Sequence, residues 1–375
     1  AHAARTPWLD SVFVAVTWLG FAFTRGLVAA VLAVWLVAGV VLARRRAAQL
    51  AAVWAQRRTT IVTAVVLSTL TFLLFVALRA MNPDLWAASR AGEKPFELTM
   101  LTSVMRTRTL PPYDSWMSGG TLNYYYGGYL MLSLPGRLMR TSPTVVMNLA
   151  VALFASCSAG AAFTAGAAMV NNARRVISKT SMVTARRAGL LAAGFLLLLP
   201  NMVIVPGVVR RLVGVEHGTF DWWAPSRVIP NSVAITEFPA WSMLFGDVHP
   251  HVMGLPLLTT VLVLCLAWYR SLIERRSAQS LALATVVGLL LGLVRATNTW
   301  DYPLALAAAV LAVSAAVVRR RTWRVAARDV VAAGFGVVVV WAPYVWRGEV
   351  YDAGVEPVTR RTPWASWVDQ WVFFA

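Results

Sequence analysis

The sequence predicts an all-α polytopic membrane protein with about nine transmembrane helices, on three observations. Of its 375 residues, 58% are hydrophobic and only 13% charged, whereas soluble domains are about 45–50% apolar and about a quarter charged. Uncharged runs such as 60–78 and 281–294 approach the roughly 20 residues that cross a bilayer as a helix. Short basic clusters at 44–46, 57–58, 174–187 (with Lys179), 275–276 and 319–328 separate the apolar runs, as cytoplasmic loops do under the positive-inside rule. These clusters account for the net charge of +18. Basic loops beside anionic lipid need no nucleic-acid partner.

Taken in order, the expected spans are 11–24, 27–43, 60–80, 143–170, 188–206, 251–270, 281–297, 303–318 and 329–346. Residues 1–59 form an accessory pair of helices. Residues 60–346 form the core, with outer loops 81–142 and 207–250, and 347–375 an outer tail. Placing every basic cluster inside requires that 124–139 not cross the membrane. That stretch carries Gly127, Gly128, Pro135 and Gly136, and is read as a helix lying along or dipping into the outer face. Pro95 suits the first turn of a surface helix reaching about Arg106. Trp364, Trp367, Trp371 and Phe374 recur at helical spacing, which suits an interfacial helix. Cys157 and Cys265 lie in apolar spans, where small packing residues and no disulfide are expected. No signal-peptide cleavage pattern is present. The start at Ala1 and the abrupt end at Ala375 are those expected of a piece of a longer protein.

This layout sorts the acids. Of sixteen Asp and Glu, only Asp10, Glu274 and Asp329 fall on the cytoplasmic side. The others lie in 81–142, 207–250, 298–302 and the tail, and His217, His249 and His251 are outside or at the outer end of a span. The expected location is therefore the cytoplasmic (inner) membrane, multi-pass, with any chemistry facing the extracytoplasmic side.

Several groups there are suited to chemistry. Glu93 and Glu97, with Lys94 between them, follow a span closely. A partly buried carboxylate at such a boundary can act as a general base, and a solvated pair is the bland alternative. Asp114, in PPYDSW, is a third carboxylate or a turn residue. Tyr124, Tyr125 and Tyr126 suit an interface belt, or sugar stacking and phosphate binding. In FGDVHPH, Pro250 biases His249 toward extended backbone. An extended segment would put Asp247, His249 and His251 on one face, as a two-His, one-carboxylate set for a divalent metal such as Mg or Mn. The alternatives are a phosphate-binding set or a polar helix cap. Trp222, Trp223, Arg227 and Glu237 share the same outer loop, and an Arg among aromatics suits an anion. Arg295, Asn298 and Asp301 crowd the outer end of one span, where an ionisable group is a functional candidate or a simple ion pair.

Six motifs in order resemble the YYY-motif membrane protein family, a domain of unknown function. They are NPDLW at 82–86, GEKPFE at 92–97, PPYDSWMSGGTLNYYYGGY at 111–129, WWAPSRVIP at 222–230, EFPAWSMLFGDVHPHV at 237–252 and ATNTWDYP at 296–303. The resemblance covers about 60–310. It departs from the family pattern at Phe96-Glu97 and Leu101-Thr102, where Met-Asp and Leu-Asn are usual. At a coarser level the layout resembles the GT-C superfamily of glycosyltransferases, which take sugars from polyprenyl-phosphate donors. That resemblance implies sugar transfer to an unidentified acceptor. Glu93 or Glu97 would be the base, and Asp247, His249 and His251, with Arg227 or Arg295, would hold the donor phosphate. Tyr124–Tyr126 and Trp222–Trp223 would hold sugar or headgroup. A transporter or flippase for an anionic lipid or sugar, and a non-catalytic envelope-complex subunit, are the competing readings.

Overall fold

The computed structural model describes residues 22–86, 92–122, 124–173, 182–199, 201, 203–215, 223–229, 235–346 and 363–371. They form helices α1 (Arg25–Arg45), α2 (Ala47–Met81), α3 (Lys94–Arg106), α4 (Gly127–Met139), α5 (Pro143–Ala173), α6 (Met182–Leu198) and α7 (Ile204–Leu212). These are followed by α8 (Pro239–Phe245), α9 (Pro250–Ile273), α10 (Ser277–Thr297), α11 (Tyr302–Arg320), α12 (Trp323–Trp346) and α13 (Trp364–Trp371). Among the described residues there is no strand beyond a single bridge between Tyr113 and Thr121. Seven of the described helices are long and apolar enough to cross a bilayer: α1, α2, α5 and α9 to α12. The all-α polytopic class is therefore observed.

Six of the expected spans match these helices closely, and the seventh, 60–80, is the second half of α2. That helix runs 35 residues, roughly 50 Å at 1.5 Å per residue, so it outruns a bilayer core of about 30 Å. The expected span 11–24 lies almost wholly outside the described residues. The expected span 188–206 is corrected. Its helix starts earlier, at Met182, and ends at Leu198, and α7 follows as a separate segment. Pro200 in the sequence lacks the N–H that a continuing helix would need.

The packing places one polar end against one basic end. At the basic end Arg319 donates to Tyr269 Oη at 3.3 Å and Arg328 to Ser277 Oγ at 2.7 Å. There the Trp268 indole N–H also donates to the buried Asp329 at 3.1 Å. The opposite end holds the C-terminus of α2, the N-termini of α5, α9 and α11, and the C-terminus of α10. Helix α3 and helix α4 sit under that end as packed elements rather than surface ones. Glu97, Met100, Leu101 and Val104 of α3 and Tyr129, Leu130 and Leu132 of α4 are buried. With 13 residues, α4 is too short to span, so it dips into the bundle rather than lying along its face.

Helix α9 joins two apolar cores. Val252 and Met253 belong to the core formed with α3, α4 and α5, while Leu257, Val261 and Cys265 belong to the core formed with α10 to α12. Neither Cys265 nor Cys157 is in a disulfide. The α10–α12 seam is a backbone contact. A Cβ on Gly288 would lie 2.0 Å from Ala333 O, and one on Gly336 2.7 Å from Leu289 N. Small residues at such seams let membrane helices approach closely. Gly288→Leu should push these helices apart and cost at least about 1–3 kcal/mol, as overpacking does. A melting temperature in detergent equal to wild type would contradict this seam.

Candidate functional site

The site is built from α3, the loop between α8 and α9, and the turn before α4. Pro239 opens α8, and Gly246 closes it in the left-handed conformation at φ +79°. A side chain at Gly246 would meet the Arg79 guanidinium at 2.7 Å. Arg79 is itself fixed by Asn148 Oδ1 at 2.7 and 2.9 Å. The chain then passes through Asp247 and Val248 to Pro250, which starts α9, with His249 as its N-cap at φ −68°, ψ 156°. On α3, Glu97 falls in the first turn, where a helix N-terminus favours a carboxylate.

Glu97 is fully buried. Its Oε2 accepts the Val248 backbone N–H at 3.1 Å, and its Oε1 lies 3.0 Å from His249 Nδ1. Glu93, half-exposed, lies 3.3 Å from the same nitrogen. The other ring nitrogen, Nε2, lies 3.3 Å from the Tyr124 hydroxyl. A second group sits beside the first. Ser242 Oγ donates to Glu237 Oε2 at 2.7 Å and lies 3.0 Å from His251 Nε2, which is 3.5 Å from Glu237. Asp247 is common to both. Ligand atoms of Glu97, Asp247 and His249 lie within 4.8 Å of one another, as do those of Glu237, Asp247 and His251.

The expected single set of Asp247, His249 and His251 is therefore divided in two. The extended alternation that would put all three on one face ends at His249, because α9 begins at Pro250 and carries His251 on its first turn. Each imidazole takes a carboxylate from elsewhere instead.

Burial sets the charge states. Desolvation outweighs the hydrogen bonds to Asp247 and from the Val248 N–H, and pushes Glu97 up to about 7, with the Glu93 charge adding to the rise. Burial and the adjacent Glu97 hold Asp247 well above the usual carboxylate range. Burial also opposes ionisation of Glu237, yet hydrogen bonds from His251 and Ser242 and the charge of His251 keep it below its ordinary value. Burial brings Lys94 down to about 8. Its ammonium stands 3.4 Å from the centroid of Phe245. Phe245 in turn stacks on Trp241 and meets Trp223 edge-on.

Other candidates are placed around this centre. Tyr125 packs against Tyr124, with ring centroids 4.6 Å apart. Tyr126 is buried as the residue preceding α4. Asn298 is buried and its Oδ1 accepts the Trp300 N–H. Asp301 reaches over Gly254, where a Cβ would lie 2.1 Å from Oδ2. Burial raises the pKa of Asp301, while a hydrogen bond from Asn298 and the charge of His251 oppose the rise. Arg295 donates to Thr299 and lies over the Trp341 ring, so it does not pair with Asp301. Two candidates stand apart. Asp114 accepts the Trp116 N–H within its own turn at 2.7 Å, and Arg227 bonds Ser226 and lies over Trp223. Trp222 lies outside the described residues. Sequence reasoning missed Ser242 and Tyr129. The Tyr129 hydroxyl is buried without a hydrogen bond among the described residues, and Glu97 and Asp247 act on it electrostatically. Its signal was the GGY that follows the three tyrosines. An apolar groove of about 520 Å³ along α2, from Arg58 to Leu70, lies toward the basic end and takes no part in the site.

Fold and site define a polytopic membrane protein with a buried carboxylate–histidine cluster at one end of its bundle. The chain belongs to the uncharacterized membrane protein family DUF2298, whose profile matches residues 12–375, a longer span than the motifs cover. No curated protein and no solved structure matches it.

Because Glu97 sits above its ordinary value of 4.5, the folded chain keeps a proton that the unfolded chain loses. Stability therefore falls as pH rises through the window from 4.5 to about 7. At about 1.36 kcal/mol per unit, the loss above pH 7 reaches roughly 3 kcal/mol. Glu97→Gln removes this dependence. With a chelator present, the wild-type melting temperature should drop relative to the variant between about pH 5 and 8. Parallel curves would show that Glu97 carries no such burden.

Proposed function

We propose that this protein is a membrane glycosyltransferase that moves a sugar from a polyprenyl-phosphate donor to an acceptor hydroxyl on the extracytoplasmic face. The observation that carries this reading is the Glu97–His249 pair. Its buried carboxylate orients an imidazole whose Nε2 meets a hydroxyl, that of Tyr124, at 3.3 Å. When Nδ1–H donates to Glu97, Nε2 is left as a base, and the Tyr124 hydroxyl marks where an acceptor hydroxyl would bind. In the step proposed, the acceptor O–H gives its proton to Nε2 and its oxygen attacks the anomeric carbon of the donor sugar. The bond from that carbon to the phosphate oxygen breaks, and polyprenyl phosphate leaves with the electron pair. The base is thus His249, with Glu97 positioning it and Glu93 beside them. Tyr124, Tyr125 and the aromatic group of Trp223, Trp241 and Phe245 offer faces for a sugar.

The position of the site also supports the reading. It lies at the end opposite the basic clusters, where the positive-inside rule puts the extracytoplasmic side. A transporter or flippase would instead need polar groups along a path. Among the described residues, the middles of the seven spans hold no charged side chain.

The test is transfer from a panel of radiolabelled polyprenyl-phosphate sugars by the purified protein in liposomes. His249→Ala should lose about 10²–10⁴-fold in rate, the usual contribution of a general base, and still elute as folded protein. Glu97→Gln should fall with it. No transfer from any donor, or full turnover in both variants, would overturn the reading.

A further inference from the structure

The geometry points to a divalent-cation site formed by Glu237, Asp247 and His251, separate from the Glu97–His249 pair. The site would take Mn²⁺ in preference to Mg²⁺. This assignment stands whether or not sugar transfer is the reaction.

The two groupings that share Asp247 differ in what they leave open. In the first, both Glu97 oxygens are occupied, by the Val248 N–H and by His249. Both His249 nitrogens are occupied too, by the carboxylates and by Tyr124. That grouping closes on itself. In the second, Nε2 of His251 and Oε2 of Glu237 meet each other and Ser242, and Glu237 also hydrogen-bonds the Asp247 carboxyl. Asp247, 5% exposed, has an enclosed Oδ1 that meets no hydrogen-bond donor among the described residues. A buried carboxylate oxygen without a partner is costly, and a cation would satisfy it.

Charge and chemistry agree. Asp247 lies between Glu97 and Glu237, within reach of both carboxyl groups. Carboxylates facing one another need a proton or a cation between them. Lys94 and Arg79 are the nearby fixed cations. Lys94 stands over Phe245 with Asp247 as its leading charge partner, and Arg79 is bonded to Asn148 Oδ1. The ligands are two carboxylates and one imidazole. That is an oxygen-rich set for a hard divalent ion, and its single nitrogen favours Mn²⁺. His251 keeps 38% of its side chain exposed, so an ion has a way in and room for water ligands. Asp301, which reaches over Gly254 one turn beyond His251, is close enough for its charge and that of His251 to interact.

The test is a titration of chelator-treated full-length protein with MnCl₂, reading unbound Mn²⁺ by its electron paramagnetic resonance signal. One equivalent should bind and raise the melting temperature, with Mg²⁺ competing weakly. Glu237→Gln and His251→Ala should each weaken binding by more than the roughly 10–100-fold that loss of even an outer-shell partner costs. Both should elute as folded protein without the Mn²⁺-dependent rise. His249→Ala should bind as wild type does. No binding at millimolar Mn²⁺ would overturn the assignment. So would binding that survives Glu237→Gln and His251→Ala but is lost with His249→Ala, since that would put the ion in the other grouping.

Discussion

The constraint on which this end of the bundle depends is the burial of two carboxyl groups, Glu97 and Asp247, side by side. A bare carboxylate in such surroundings costs several kcal/mol, and the local structure is arranged to offset that cost. Proline at 95 starts α3 so that Glu97 falls in its first turn. The left-handed turn at Gly246 lets the chain cross Arg79 and bring the Val248 N–H to Glu97. His249 and Ser242 supply further polar partners. What is left over is one oxygen of Asp247, and the cation inference rests on it.

A second consequence follows from where α9 starts. Pro250 cannot donate a backbone hydrogen bond, so it suits the first turn of a helix and fixes His249 just outside it. The same residue turns His251 onto the helix, toward Glu237 and Ser242. Two histidines two residues apart thus serve two neighbours. Further along α9, Gly254 has no side chain and so admits Asp301 from the start of α11. In this way the α10–α11 connection is drawn to the same centre. The close approach of α10 and α12 at Gly288 and Gly336 holds that side of the bundle in place.

Much of this was legible in the sequence because it depends on local rules. Apolar run length marks the spans, basic clusters mark one end, and Pro95 marks a helix start. That Glu97 and the FGDVHPH segment belong to chemistry was readable from polar groups crowded beside apolar spans. Their partnership was not, because Glu97 and His249 are 152 residues apart and no spacing encodes that contact. The grouping of Asp247, His249 and His251 misled because period-two alternation holds only while the backbone stays extended. Tyr129 and Ser242 escaped notice because their importance lies in what surrounds them. Asp114 and Arg227 attracted notice by residue type, yet each is satisfied within its own loop.

Under the two proposals, Asp247 ties proton handling to cation binding. Its carboxyl stands between the Glu97–His249 pair and the Glu237–His251 pair, so whatever occupies it acts on both. While it keeps a proton, it can hydrogen-bond to Glu97 or to Glu237, and the second group lacks full charge. Once a divalent ion takes the place of that proton, Asp247 faces the ion as an anion. Glu97 then loses a neutral neighbour and gains a positive charge behind it, which favours its own ionised form. An ionised Glu97 holds the Nδ1 proton of His249 and leaves Nε2 as the acceptor. Loading of the cation site and readiness of the base are thereby linked through one side chain, within a single segment of seven residues from Phe245 to His251. The short segment also explains why both groups sit at the same depth in the bundle: the chain that delivers one delivers the other.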